Sequence, residues 1–233
     1  MAVDRSLVAH LPLFAGLGAA DLDVILESAR PARHPKSSAV FEQGEEAHSF
    51  FVLLNGHVRA AKTTPAGQQI VVRYVTPGEL FGVAVAIGLK AYPATATAVD
   101  DSLVLAWPSS AWAGLVAKHP ALAANAMMTI GERLQDSHTR VIEMSTQQVE
   151  GRIARALLRL VQQAGRKVDT GIAIDFPISR QDIAEMTGST LHTVSRILSG
   201  WESQGLVESG RQRVVITDPH RLFALSEEGG EKG

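Results

Sequence analysis

A chain of 233 residues with 45% apolar content is long enough to bury a sizeable core, and that length favours two domains over one. It contains no cysteine, which excludes disulfides, thiolate zinc sites, iron–sulfur clusters and cysteine nucleophiles. Its net charge of −2 argues against a uniformly basic nucleic-acid binder. The opening MAVDRSLVAHLPLF lacks a long apolar leader, and no stretch reaches the roughly 18 apolar residues of a membrane span, so a cytoplasmic protein with no membrane partner is expected.

A short helix is predicted around Asp21 to Ala29. Residues 34 to 107 then carry short apolar runs, such as SFFVLLNGHVRAAK and QQIVVRYV, separated by the turn signals Asn55-Gly56, Pro65-Ala66-Gly67 and Pro77-Gly78. That pattern suits a β-barrel or jelly roll. From Pro120 the period becomes helical, and Ala123, Met127, Ile130, Leu134, Ser137, Val141 and Met144 alternate by fours and threes. Such a seam predicts pairing with a second copy of the helix in a homodimer; the alternative is an amphipathic helix packed on its own β-domain. Ser137 would weaken the pair locally.

A further helix follows in VEGRIARALLRLVQQAG, with Val149, Ile153, Leu157 and Leu160 on one face and Gly165 as its stop. A strand with Ile172, Ile174, Phe176 and Ile178 leads to S-R-Q-D, a capping pattern at Ser179. In SRQDIAEMTGSTLHTVSRILSGWESQGL, Ala184 is small enough for two helices to cross and Gly188 can make the left-handed turn between them. Val194 and Ile197 face back into the angle, and Thr190 caps a second helix reaching about Gln204. These spacings describe a helix-turn-helix whose second helix reads double-stranded DNA.

On that helix His192, Ser195, Arg196 and Ser199 are expected to be exposed, with Thr190 and Thr193 beside them, while Val194, Ile197, Leu198 and Trp201 are buried. Arg196 is the predicted base reader, because a guanidinium can bridge guanine O6 and N7. LVESGRQRVVIT predicts a winged hairpin with Arg211 and Arg213 at its tip, which with Arg180 are candidate phosphate contacts. From Thr146 to Leu225 there are ten basic against eight acidic residues, a mild positive bias within an acidic chain. No closely spaced histidine pair, G-x-S-x-G, H-E-x-x-H or P-loop occurs, so an enzyme is not expected.

The order of β-barrel, long helix and winged helix-turn-helix resembles the CRP/FNR superfamily of bacterial transcription regulators. The likeness runs from about Leu11 to Leu225 and is carried by LPLFAGL, FEQGEEAHSFFVLLNGHVR, VTPGELFG and TLHTVSR. It implies an α+β fold: a cyclic-nucleotide-binding-like sensor barrel over 1–119, a dimerisation helix over 120–146, a winged helix-turn-helix over 147–225, and a disordered acidic tail over 226–233. It also implies RNA polymerase as a partner. FNR-type members read TTGA through a Glu-x-x-Ser-Arg pattern; Ser195 and Arg196 match its end, but His192 stands in place of the glutamate. The resemblance therefore implies a TTG core with an altered next base.

Cyclic-nucleotide members keep a glutamate and an arginine that hold ribose and phosphate. At those places this chain has Val83 and Tyr92-Pro93, so cyclic nucleotide is not expected in a pocket drawn from Glu79, Leu80, Gly82, Val83, Tyr92 and Pro93. That altered pocket either admits a flat hydrophobic cofactor or is filled by its own side chains. AYPATATA and GLVESGRQRVVITDPHRL resemble the NnrR-like regulators of denitrification, which respond to nitric oxide, and the related DNR group, for which haem is the sensor. The alternative is a FixK-like member that needs no ligand. Haem would take an axial ligand from His10, His34, His48, His57, His119 or His138, with His57 expected at the surface.

Overall fold

The computed structural model describes residues 4–228, which divide at Gln135/Asp136 into two compact units apart from Gln69–Val71. In the first, single turns of 3-10 helix at Arg5–Leu7 and Pro12–Phe14 precede α1 (Ala19–Glu27). The helix starts two residues before the expected position because Asp21 reaches back to accept the Gly18 amide at 3.2 Å, which places the cap at Gly18.

Eight strands follow: β1 (Arg30–His34), β2 (Ala39–Phe41), β3 (Ser49–Asn55), β4 (Val58–Thr63), β5 (Gln69–Val75), β6 (Leu80–Phe81), β7 (Thr95–Ala98) and β8 (Ser102–Pro108). They form two four-stranded sheets, ordered β1-β8-β3-β6 and β2-β7-β4-β5. β3 and β8 are buried on both faces, which is why SFFVLLN reads as an unbroken apolar run. On β3, Phe51 and Leu53 join residues of both sheets in an inner cluster, while Phe50 and Val52 join the core under α1, with Leu105 and Trp107 of β8. Trp107 lies flat on Phe50 at 5.5 Å and donates its indole N–H to the Ile25 carbonyl at 2.8 Å, fixing α1 to the sheet.

After α2 (Trp112–Lys118), α3 (Pro120–Thr146) runs for 27 residues. Its faces divide the two expectations between them. Leu122 and Ala126 are buried in the core of their own unit with Ile130 packed against them, whereas Met127, Leu134, Val141 and Met144 are exposed, Leu134 at 57% and Val141 at 62%. The seam outside Ile130 and the half-buried Ala123 is thus left facing outward.

The second unit holds α4 (Val149–Ala164), β9 (Gly165–Val168), β10 (Gly171–Ile174), α5 (Arg180–Thr187), α6 (Leu191–Ser203), β11 (Val207–Gly210), β12 (Arg213–Ile216) and α7 (Pro219–Glu228). Its sheet is ordered β11-β12-β10-β9. Ile153, Leu157 and Leu160 of α4 are buried as their spacing requires. The predicted strand through Ile178 stops at Ile174; Phe176 and Ile178 are nevertheless buried, from an extended segment without ladder partners in β10. α7 carries regular structure through Glu228, and the remainder of the acidic tail, 229–233, lies outside the described residues.

Candidate nucleic-acid interface

α5 begins at a closed capping box: the Asp182 amide donates to Ser179 Oγ at 3.1 Å, and the Ser179 amide donates to Asp182 Oδ2 at 2.9 Å. It ends at Gly188, whose φ of +61° is the left-handed turn that a glycine supplies without strain. A side chain there would also meet Met144, because a Cβ built on Gly188 falls 2.6 Å from the Met144 methyl. Thr190 then caps α6, accepting the Thr193 amide at 3.1 Å.

α6 buries Val194, Ile197, Leu198 and Trp201, and the Trp201 indole donates to Glu150 Oε1 at 2.9 Å. With that face fixed, the helical period turns His192, Arg196 and Ser199 to the outside, with Thr193 and Ser195 half-buried beside them. Arg196 makes no hydrogen bond or ion pair with any described residue, so its five donors are available to a partner. Leu191, at 47% exposure in the first turn, adds an apolar contact to this polar face. The sequence reading passed over it because a leucine in a helix is ordinarily core; its signal was its place beside His192, outside the buried stripe.

The wing is β11 and β12 with the turn residues Arg211 and Gln212, and Arg211 and Arg213 are both exposed at its tip. Arg180 has a different task from the one expected. Its guanidinium donates to Ser209 Oγ at 2.8 Å and lies 3.8 Å from Glu202, whose other carboxylate oxygen accepts the Ser209 amide and hydroxyl at 2.8 and 2.6 Å. Arg180 therefore clamps the wing to α5 and α6 and sets where Arg211 and Arg213 stand.

The six residues expected to line an effector pocket are not gathered round one space. Leu80 and Val83 belong to the core under α1, Tyr92 belongs to the inner cluster, and Pro93 is exposed. Tyr92 stacks on Phe41 with ring centres 3.8 Å apart, and Phe51 and Phe81 complete the stack. The Tyr92 hydroxyl donates to the Ser49 carbonyl at 2.7 Å, and burial pushes its pKa up, so it stays neutral. Glu79 is spent locally, accepting the Thr76 amide at 2.6 Å and pairing with Arg73 at 2.8 Å. Arg133 of α3 donates to the Leu80 carbonyl, and burial followed by its neighbour Arg73 lowers its pKa to about 10.

Gly82 shows how closely this region is packed. Its φ is +65°, and a Cβ there would lie 2.8 Å from Phe51 and 2.9 Å from Phe41. Gly82→Ala is expected to destabilise the protein by about 1–3 kcal/mol through overpacking and backbone strain, read as a lower urea midpoint.

The histidines do not suit a haem in this interior, since none of the six belongs to either buried cluster of the unit. His57, expected at the surface, is only 12% exposed and pairs with Asp100 at 2.8 Å. His119 is buried with Nδ1 3.2 Å from Asp21, while His10, His48 and His138 are exposed. Among the described residues no group of three or more His, Asp or Glu could hold a metal ion, and no helix is long and apolar enough to cross a membrane.

Comparison with known proteins agrees with this geometry. Residues 151–225 match the Crp-like helix-turn-helix domain, and residues 31–119 match the cyclic nucleotide-binding domain. The chain is 29% identical to the cyclic AMP receptor protein of Thermus thermophilus, covering 93% of this chain and 95% of that one. It is 27% identical to the transcriptional activator protein FnrA of Stutzerimonas stutzeri, covering 93% and 88%. Among solved structures, a CRP-family transcriptional regulator of Thermus thermophilus superposes with a TM-score of 0.73 at 27% identity, covering 87% of this chain and all of that one. FixK2 of Bradyrhizobium japonicum shares the fold, with a TM-score of 0.75 at 24% identity over 84% and 96%.

Proposed function

The chain belongs to the CRP/FNR family of transcription regulators, and from that premise we propose that it binds, as a homodimer, an inverted-repeat operator whose half-sites contain TTG. The observation that carries this reading is Arg196, exposed and without an internal partner on the outer face of α6, between Ser195 and a buried apolar stripe. Thr190, Thr193 and Ser199 border it, and Arg211 and Arg213 reach for phosphates. Half-sites about one helical turn apart follow from twofold symmetry. The outward residues of α3, Met127, Leu134, Val141 and Met144 with Ser137 between them, are the surface the second copy would cover. Such a protein acts on RNA polymerase rather than as an enzyme.

His192 sets the base after the TTG core. A glutamate only accepts hydrogen bonds, whereas a neutral imidazole both accepts and donates, so the preference for one base at that position relaxes or changes. His192→Glu is expected to sharpen selection to TTGA, while the wild-type protein keeps the core alone. Selection from a randomised half-site library checks this; identical preferences in the two proteins would count against His192 as a reader.

The NnrR-like resemblance points to nitrogen-oxide genes as targets and nitric oxide as signal. For the signal, the aromatic packing of Phe41, Phe51, Phe81 and Tyr92 favours the FixK-like alternative, in which the protein binds DNA without a small ligand in the barrel. Operator binding by the purified protein, measured alone and then with haem and nitric oxide, separates the two. A Soret shift coupled to DNA binding would reinstate haem.

A further inference from the structure

On the outer side of the β1-β8-β3 sheet lies a cleft of about 440 Å³, remote in sequence from the stretch that resembles an effector pocket. Three strands build it. Arg33 of β1 is paired with Leu103 of β8, and Leu103 with Asn55 of β3, so these side chains stand in one row across the sheet. A register shift in β3 between Leu53 and Asn55 opens the ladder at this point, as bulges beside binding sites do.

Two opposite charges line this cleft. Arg33 makes no hydrogen bond or ion pair with a described residue, and Asp101 accepts only the Lys36 amide, through Oδ1 at 2.9 Å, leaving Oδ2 without a partner. They do not pair with each other. Pro35 and Leu103 give the same cleft an apolar wall. Its rim is held from behind: Ser102 donates to the Asp100 and His57 carbonyls at 3.0 and 3.2 Å, and the Ser37 amide donates to the Ala98 carbonyl at 2.8 Å from a left-handed conformation, φ +69°.

We propose that this cleft binds a free α-amino acid with an apolar side chain: Arg33 takes the carboxylate, Asp101 the ammonium group, and Pro35 and Leu103 the side chain. A guanidinium and a carboxylate that share a cleft without pairing are complementary to a zwitterion, and a planar fork suits a carboxylate bidentately. The volume suits a small ligand.

The test is calorimetric titration of the full chain with L-leucine, isopentylamine and 4-methylpentanoate, the last two lacking carboxylate and ammonium in turn. Leucine alone is expected to bind, and Arg33→Gln and Asp101→Asn, both exposed and near-isosteric, are each expected to weaken it about tenfold or more. Unchanged thermal unfolding without ligand shows that the variants fold. The proposal is overturned if no apolar amino acid among leucine, isoleucine, valine, methionine and phenylalanine binds at about 10 mM. It is equally overturned if the amine or the acid binds as well as leucine, or if neither substitution matters.

Discussion

Arg196→Ala will weaken operator binding by about 2–6 kcal/mol, because each half-site loses a base contact of roughly 1–3 kcal/mol and a dimer makes two. That corresponds to a fall of about 30-fold to 10⁴-fold in affinity. The loss should fall on the operator and not on unrelated DNA, since phosphate contacts from the wing remain. Arg211→Ala supplies the contrast: it should weaken both DNAs alike and flatten the salt dependence of binding by about one unit. Fluorescence anisotropy on operator and scrambled duplexes at several salt concentrations measures all of this. An unchanged ratio between the two duplexes in Arg196→Ala would move base reading elsewhere on α6. The exposed Leu191 would then be the next residue to examine, through contact with a thymine methyl.

The helix-turn-helix was legible in the sequence because its determinants are local. Ser179 and Asp182, Gly188, Thr190 and the stripe of Val194, Ile197 and Trp201 each act within a turn or two, so spacing alone places them. The β-domain was legible as a class, from turn signals and short apolar runs, but its interior was not. Val83 and Tyr92 lie nine residues apart in one quoted stretch, yet they enter two different clusters, because the chain passes through the first sheet between them. Arg180 and His57 were misjudged for a related reason. Their partners, Ser209 and Asp100, are distant in sequence, and an arginine or histidine without a visible local partner looks exposed. The cleft at Arg33 and Asp101 was invisible because it depends on the register of three strands.

Glu143→Ala will be the most damaging single change in the second unit, by about 3–5 kcal/mol. Glu143 lies on α3 between the exposed Val141 and Met144, but its own side chain is turned inward and 6% exposed. It accepts from Arg159 at 2.6 Å and lies 3.8 Å from Arg155, which in turn donates to the Ser226 carbonyl at 3.0 Å and to Glu227 at 2.8 Å on α7. One carboxylate thus offsets two half-buried guanidiniums. Removing it leaves both without their buried counter-charge, which costs more than the pair itself contributes. Glu143→Gln keeps an acceptor of the same shape and should cost about 1–2 kcal/mol. Combining Glu143→Ala with Arg159→Ala should be less damaging than the sum of the two, measured by urea unfolding. The consequence for function follows from the neighbouring residue. Met144 packs where Gly188 turns the chain into α6, so the end of α3 held by Glu143 also supports the helix that carries Arg196. A dimer binds two half-sites at once only if both recognition helices keep their positions. Glu143→Gln should therefore reduce operator affinity beyond what its small loss of stability explains, with non-specific binding largely retained.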